Sequence, residues 1–520
     1  MESIFHGNLT VITFFPLIGG LIVVILSILF RDSEKPMKIG ALVVTIIEFL
    51  ISIPLYTNFN LETAEMQFGV QRDWIRSLGI TYHLGIDGIS LFLVLLTTFI
   101  FPITILSAWN AIKKGMREFL VLVLILETAL VGTFTALDMI LFFVFWEAVL
   151  IPMYFIIGIW GTERRIYAAI KFFIYTAFGS ALMLIAIFYL YYLHIDQFGT
   201  ASMSVLDFYR INIPYTGILS PQGLTFIAFL LAFAIKVPML PLHTWLPDAH
   251  VEAPTAGSVI LAAILLKMGT YGFLRFLLPI FPEATLDLLP ILSIIAIIGI
   301  IYGAMVAFAQ RDLKKLVAYS SVSHLGLVML GIFVLNIQGI EGGLYLMVSH
   351  GISTGALFII VGMVYERRHT KLIEEFGGLS KVMPLLAAFF MLSTLSSIGL
   401  PLLNGFIGDF LVLLGVFRFN YIYSILGATG VILGAIYMLW AYQRVMFGSL
   451  DKPENKVLID INLREIMVLL PLAIMMIVMG IYPKPFLSRM EPTVQELLVT
   501  KFNHRVTVLD TIQQKNDKKE

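Results

Sequence analysis

The chain reads as an all-α polytopic membrane protein, and three observations say so. Of its 520 residues, 59% are hydrophobic and only 13% charged, with a mean hydropathy of +0.93. Apolar runs of about 20 residues, the length that crosses ~30 Å of hydrocarbon at ~1.5 Å per residue, recur from one end to the other. Ionisable residues inside those runs are few, and some stand beside helix breakers. The formal net charge is zero, which argues against a nucleic-acid partner. Cysteine is absent, which excludes disulfides, thiolate-held zinc or iron–sulfur clusters, and a cysteine nucleophile.

Taken in order, about fourteen transmembrane helices can be drawn. The first run, 10–30, has only Glu2 and His6 as charged or titratable residues before it and no basic stretch, so it reads as a membrane helix and not a cleaved signal. Runs at 39–56 and 84–109 complete an N-terminal group, residues 1–117. Runs at 118–137, 139–160, 167–193, 223–245 and 256–279 form a second group, 118–279; its first two are divided at Leu137-Asp138. Runs at 286–309, 316–335, 342–365, 383–417 and 421–447 form a third, 286–447. A last run at 461–481 and a polar tail close the chain, 448–520.

Short loops rich in Lys and Arg face the cytoplasm. They follow the odd-numbered spans: Arg31, Lys35 and Lys38; Lys113, Lys114 and Arg117; Arg164 and Arg165; Arg311, Lys314 and Lys315; Arg367, Arg368 and Lys371; Arg444, Lys452 and Lys456. Loops after even spans carry only Arg72 and Arg76, Arg210 and Arg418. Both termini are therefore expected on the non-cytoplasmic side.

Two spans carry their own interruptions. The seventh runs through Lys236-Val-Pro238-Met-Leu-Pro241, and the twelfth through Gly399-Leu-Pro401 and Asn404-Gly-Phe-Ile-Gly408-Asp409. Proline removes a backbone donor and clashes with the preceding turn. Backbone freed at membrane depth must be buried in protein or line a wet cavity. The breaks lie five spans apart, so the two units run in opposite directions, the arrangement of inverted five-helix repeats with a transport site at discontinuous helices.

A lysine at bilayer depth costs roughly 2.5–3.5 kcal/mol on insertion scales. Lys236 and Lys267 both lie in apolar helices, and Glu147, in Phe142-Phe-Val-Phe-Trp146-Glu147, is the natural partner of Lys236. His324 and His350 add groups that titrate near neutral pH, and Asp409 ends the series. Acid, lysines, histidines and acid in membrane helices have the chemistry of a proton relay. The plainer readings are structural ion pairs, snorkelling for Lys171, satisfied core histidines, and an interfacial cap around His243, Trp245, Asp248 and His250. Glu48 and Glu127 stay open between function and structure.

The run from Lys236 through Pro-Leu-His243-Thr-Trp245-Leu-Pro-Asp248-Ala-His250-Val-Glu-Ala-Pro to Leu266-Lys267-Met-Gly269 resembles the signature of the antiporter-like subunits of complex I, the NADH–quinone oxidoreductase. Its wording is similar to the branch that holds bacterial subunit M and mitochondrial subunit 4. Leu84-Gly-Ile-Asp87-Gly-Ile-Ser90, Phe145-Trp-Glu147, Ser323-His324-Leu-Gly and Asn404-Gly-Phe-Ile-Gly fit the same family, and the resemblance covers about 80–450. It implies a proton-translocating subunit of a quinone-reducing enzyme, in the bacterial inner membrane, beside other complex I membrane subunits that include two antiporter-like neighbours. It implies no cofactor on this chain; NADH, FMN, iron–sulfur clusters and quinone belong to partner subunits. Carried over by residue, Glu147 and Lys236 match the family's ion pair, Lys267 its central lysine, and His324 and His350 its axis histidines. Asp409 falls where the branch has glutamate, and Glu127 matches nothing in the pattern. The expected mechanism is a half-channel from the cytoplasm to Lys236 and Lys267, then a hydrated line through His324 and His350 to Asp409. Opening a Glu147–Lys236 pair changes the lysine's hold on its proton: a 4 Å pair at effective dielectric ~20 is worth about 4 kcal/mol, or ~3 pK units. A multisubunit Na⁺/H⁺ antiporter or membrane-bound hydrogenase subunit shares the Lys-Pro break. A purely structural scaffold has no need of Lys236, Lys267 or Asp409.

Overall fold

The computed structural model describes residues 8–516; Glu2 and His6 lie outside them, as do the side chains of the basic tail beyond Phe502. The long helices are α1 Leu9–Leu29, α2 Lys35–Thr57, α3 Leu91–Ala108, α4 Met116–Thr135, α5 Met139–Trp160 and α6 Arg165–Phe198. Two shorter helices follow, α7 Pro221–Lys236 and α8 Trp245–Glu252. Long helices resume with α9 Thr255–Ile280, α10 Pro282–Phe308, α11 Leu313–Phe333 and α12 Ile337–Arg368. A second short pair is α13 Pro384–Ser397 and α14 Asn404–Phe419. The series ends with α15 Tyr421–Met446, α16 Leu463–Ile481 and α17 Lys484–Asn516. Among the described residues, twelve helices are long and apolar enough to cross a membrane, and the protein is a multi-pass membrane protein.

Side-chain caps start many of these helices where the sequence changes character. Asn8 caps α1, Asp312 caps α11, Asn336 caps α12 and Asn420 caps α15. Asn462 and Glu465 form a reciprocal capping box on α16. Each satisfies backbone N–H groups that no intrahelical carbonyl reaches. Asp138 settles the boundary between α4 and α5: its Oδ1 accepts from Ile140 N at 3.0 Å and Leu141 N at 3.2 Å. The long apolar run at 118–160 is thereby two helices and not one.

The core lies inward and the lipid face outward. α2 shows the pattern: Met37, Ala41, Val44, Thr45, Glu48, Ser52 and Leu55 are buried, while Ile39, Val43, Ile46, Ile47, Leu50 and Ile53 are exposed. α9 and α12 sit at the centre, with every residue of their apolar windows buried.

Two features depart from the sequence reading, and the interruption expected in the twelfth span is present. A β-hairpin stands between α2 and α3: β1 Gln67–Ile75 pairs antiparallel with β2 Ile80–Ile86. Residues 84–86 belong to that strand, so the third membrane helix begins at Leu91 and not at 84. The turn is anchored by Asp87, whose Oδ1 accepts from Ile89 N and Ser90 N and meets Arg275 of α9 in a buried ion pair at 2.5 Å. Lys171 does not snorkel: its Nζ pairs with Asp248 Oδ2 at 2.7 Å. The twelfth span is two helices, α13 and α14, separated by a turn in which Gly399 has φ +73°. That left-handed conformation is open to glycine at no steric cost.

Candidate functional site

Both interruptions place an ionisable side chain inside the protein. α7 ends at Lys236 because Pro238 and Pro241 follow it. Trp245 Nε1 donates to Ile235 O at 2.8 Å and ties α8 back onto the end of α7. Gly269 lets α9 press against this end: a Cβ there would lie 2.7 Å from Phe233 O.

Lys236 is buried and its Nζ has no hydrogen-bond partner. It lies 5.2 Å from the centre of the Trp146 ring and 5.5 Å from that of Phe172. Glu147, next to Trp146, acts on it electrostatically, yet Glu147 Oε1 is also unpartnered and no ion pair within 4.0 Å joins them. The close pair expected from the sequence is open in this structure. The reason lies in the placement of the ammonium: it rests over aromatic faces, which attract a cation, and not against the carboxylate.

Lys267 is at the centre. Two wide turns of π geometry, Leu261–Leu265 and Phe273–Leu277, flank it in α9. Wide turns shift backbone hydrogen bonding by a residue, and Ala262 O accepts from Lys267 Nζ at 2.6 Å. The same ammonium reaches His350 Nδ1 on α12 at 2.8 Å. A lysine ammonium can only donate, so Nδ1 accepts and the ring proton of a neutral His350 sits on Nε2. That nitrogen has no partner.

His324 on α11 comes next, its ring centre 5.8 Å from that of His350. His324 Nε2 lies 3.4 Å from Ser397 Oγ, at the broken end of α13. A small cavity of about 10 Å³ follows, lined by Ser323, His324, Ser397 and Asp409 among others. That is close to the minimum room for one water. Asp409 is buried on α14, and its Oδ1 has no protein donor. Glycines bring α14 in: a Cβ at Gly405 would lie 2.0 Å from Ser396 O, and one at Gly408 would lie 2.9 Å from the Leu346 side chain.

At the end bearing the basic loops lies a cavity of about 160 Å³, lined by Lys113, Trp160, Lys314, Tyr365, Glu366 and Lys371 among others. Lys314 is buried and donates to Ala253 O at 2.6 Å; Lys371 donates to Val251 O at 2.7 Å. Burial holds the Lys371 ammonium below its ordinary range, against the opposing pull of Asp312, Glu252 and Glu163. Inward lies His250, fully buried, stacked on Phe358 at 4.4 Å, with neither ring nitrogen partnered. The cations acting on it are Lys314 and Lys267.

Structure thus brings Lys267, His350, His324 and Asp409 into one line, and sets Glu147 and Lys236 beside it as an open pair. Sequence reasoning misses Lys314 and leaves His250 open between an interfacial cap and a transport role. In the sequence Lys314 reads only as a loop charge, although Asp312 caps α11 and turns the residue inward as part of the helix. His250 lies buried on α8 and not in an interfacial cap. Glu48 of α2 and Glu127 of α4 face each other and form no hydrogen bond with the line. Among the described residues, no group of three or more His, Asp or Glu is placed to hold a metal ion.

Comparisons with known proteins agree over nearly the full length. Residues 136–436 match the family model described as NADH:quinone oxidoreductase/Mrp antiporter, TM. Residues 17–133 match that of NADH-ubiquinone oxidoreductase chain 4, amino terminus. The chain is 45% identical to NADH-quinone oxidoreductase subunit M of Rhodobacter capsulatus, over 94% of its own length and 96% of that protein. It is 44% identical to NADH-ubiquinone oxidoreductase chain 4 of Marchantia polymorpha, over 95% and 97%. In three dimensions it is similar to a chain of respiratory complex I from Thermus thermophilus, with TM-score 0.83, 30% identity, and coverage of 94% and 99%. A chain of the Mrp complex from Dietzia sp. shares the fold, with TM-score 0.80 at 18% identity and coverage of 94% and 97%.

Proposed function

Because the chain belongs to the family of NADH–quinone oxidoreductase subunit M and its chain 4 counterparts, we propose that it is a proton-pumping module of a respiratory quinone reductase, driven by redox chemistry in other subunits. NADH, FMN, iron–sulfur clusters and quinone would be handled there. Its neighbours would be other membrane subunits of the complex, two of them antiporter-like. The setting is a bacterial inner membrane, with the basic loops cytoplasmic and both termini opposite. Helices α4–α9 and α10–α15 are read as the two inverted repeats, each with one interrupted span.

The observation that carries the reading is the contact between Lys267 Nζ and His350 Nδ1, 2.8 Å, at the head of a buried line. A proton taken up in the cytoplasmic cavity passes Lys314 and His250 to Lys267. The ammonium hands it to His350 Nδ1, and His350 releases its other proton from Nε2 toward His324. One water in the small cavity completes the step to Asp409, which gives the proton up on the far side. The Glu147–Lys236 pair sets the timing. When open, as in this structure, the lysine lacks an anionic contact; when closed to ~4 Å it gains about 4 kcal/mol of attraction at effective dielectric ~20.

Lys267→Met removes the amine and keeps the apolar bulk. Quinone reduction and proton pumping are expected to fall together in the reconstituted complex, because a blocked relay stalls a coupled machine. Lys267→Arg is expected to fail as well, since a guanidinium keeps its proton at accessible pH. An Arg variant that pumps like the parent would reduce Lys267 to a fixed charge.

A further inference from the structure

We propose that Glu48 and Glu127 form a separate proton-binding site, two facing carboxyl groups joined through bound protons, off the Lys267–Asp409 line. The two side chains meet from α2 and α4 within hydrogen-bonding reach. Both are fully buried. All four carboxylate oxygens lack a donor from any other protein group. A carboxylate only accepts hydrogen bonds; a protonated carboxyl also donates one. Two acceptors that face each other, with no protein N–H, hydroxyl or ammonium supplied to either, can satisfy one another only when protonated.

Charge leads to the same ligand. The other carboxyl is the one charged group acting on each, and no lysine, arginine or histidine offsets it. An ionised carboxylate moved into an apolar interior without a counter-charge carries a large desolvation cost, and two like charges in contact cannot both persist. Snorkelling is closed off, because Glu48 lies on the protein-facing stripe of α2 with Val44, Thr45 and Ser52, and the lipid-facing stripe is wholly apolar. The resting pair therefore holds protons of its own and is neutral. With one proton it becomes a carboxyl–carboxylate anion. One turn along α2, Ser52 Oγ lies 2.9 Å from Thr98 Oγ1, a buried hydroxyl bridge on the same protein-facing side. Neither glutamate has a hydrogen bond to Lys236, Lys267, His350, His324 or Asp409, so the site stands apart from the relay.

The test is infrared difference spectroscopy on the intact, purified complex at neutral pH, in H₂O and D₂O, comparing the parent with the double variant Glu48→Gln, Glu127→Gln. The double variant is expected to lose a protonated-carboxyl C=O stretch that shifts in D₂O, while retaining pumping. Glu48→Gln alone is expected to lose roughly half that signal, which serves if the double variant does not assemble. Loss of carboxylate bands instead would mean that the parent pair is ionised and would overturn the site. So would a protonated-carboxyl band that vanishes when sodium is raised, because the pair would then be taking a metal cation. A double variant that keeps assembly but loses pumping would overturn the placement off the relay.

Discussion

Asp409 is the residue whose chemistry is most open to a decisive substitution. Its Oδ1 faces no protein donor and its side chain lines the cavity shared with His324. If it accepts protons, Asp409→Glu should retain most pumping, since the ordinary carboxyl pKa values differ by only ~0.4. Asp409→Asn should lose most of it, because an amide of similar size does not titrate. A capping role orders the two variants the other way, as Asn keeps an acceptor while Glu crowds Gly399, where even a Cβ would come within 2.6 Å of Asp409 Oδ2. Proton uptake into vesicles separates the readings. The residue types of this line were legible in the chain because charge inside apolar runs is conspicuous. Contact was not: the open Glu147–Lys236 pair and the Lys171–Asp248 bridge at 2.7 Å join residues 77 or more positions apart, and only packing decides which charge meets which.

Among the elements, the α4–α5 boundary rests on one side chain. Asp138 caps α5 through Ile140 N and Leu141 N, and its Oδ2 accepts from Thr81 N of β2 at 2.8 Å. Burial raises its carboxyl above the ordinary range, and those backbone donors pull it back. Asp138→Ala removes the cap, typically worth ~1 kcal/mol, and strands a backbone donor of the hairpin, costing roughly a further 1–3 kcal/mol. A lower thermal midpoint of the solubilised complex is expected, with Asp138→Asn much milder because it keeps an acceptor. Equal losses for Ala and Asn would assign the effect to charge and not to capping. The helices were legible as apolar runs bounded by basic loops, and both interruptions were marked by proline and glycine. The hairpin was not, because its strand β2 runs directly into the apolar segment that continues as α3, and nothing in the local pattern divides them until Asp87-Gly88.

Over the whole molecule, α17 acts as a strap across the hairpin end. Thr493 Oγ1 accepts from Gly88 N at 3.1 Å, Arg489 stacks 3.8 Å from the centre of the Tyr56 ring, and Lys501 donates to Tyr209 O at 2.6 Å. One helix therefore ties together the end of α2, the start of α3 and the loop after α6. Truncation after Pro483 is expected to lower the amount of assembled complex, while pumping per assembled complex stays near the parental value because no residue of the proposed relay lies in α17. Native gels and pumping normalised to complex content read the two quantities. Parental assembly of the truncated chain would make the strap dispensable.

Composition and periodicity by themselves determined that this protein lives in a membrane, which runs are helices, where two of them break, and which ionisable residues are too costly to be incidental. Those properties are local: each follows from the free energy of placing a residue or a short segment in hydrocarbon. Tertiary structure alone decided that Lys267 touches His350, that Lys236 rests over Trp146 and Phe172 apart from Glu147, that Lys314 lines a cavity and His250 is buried against Phe358, and that Glu48 meets Glu127. Such contacts depend on the relative rotation and approach of helices distant in the chain. Glycines such as Gly269 and Gly405, and the wide turns flanking Lys267, set that approach to within a side chain's width, and no one-dimensional pattern encodes it.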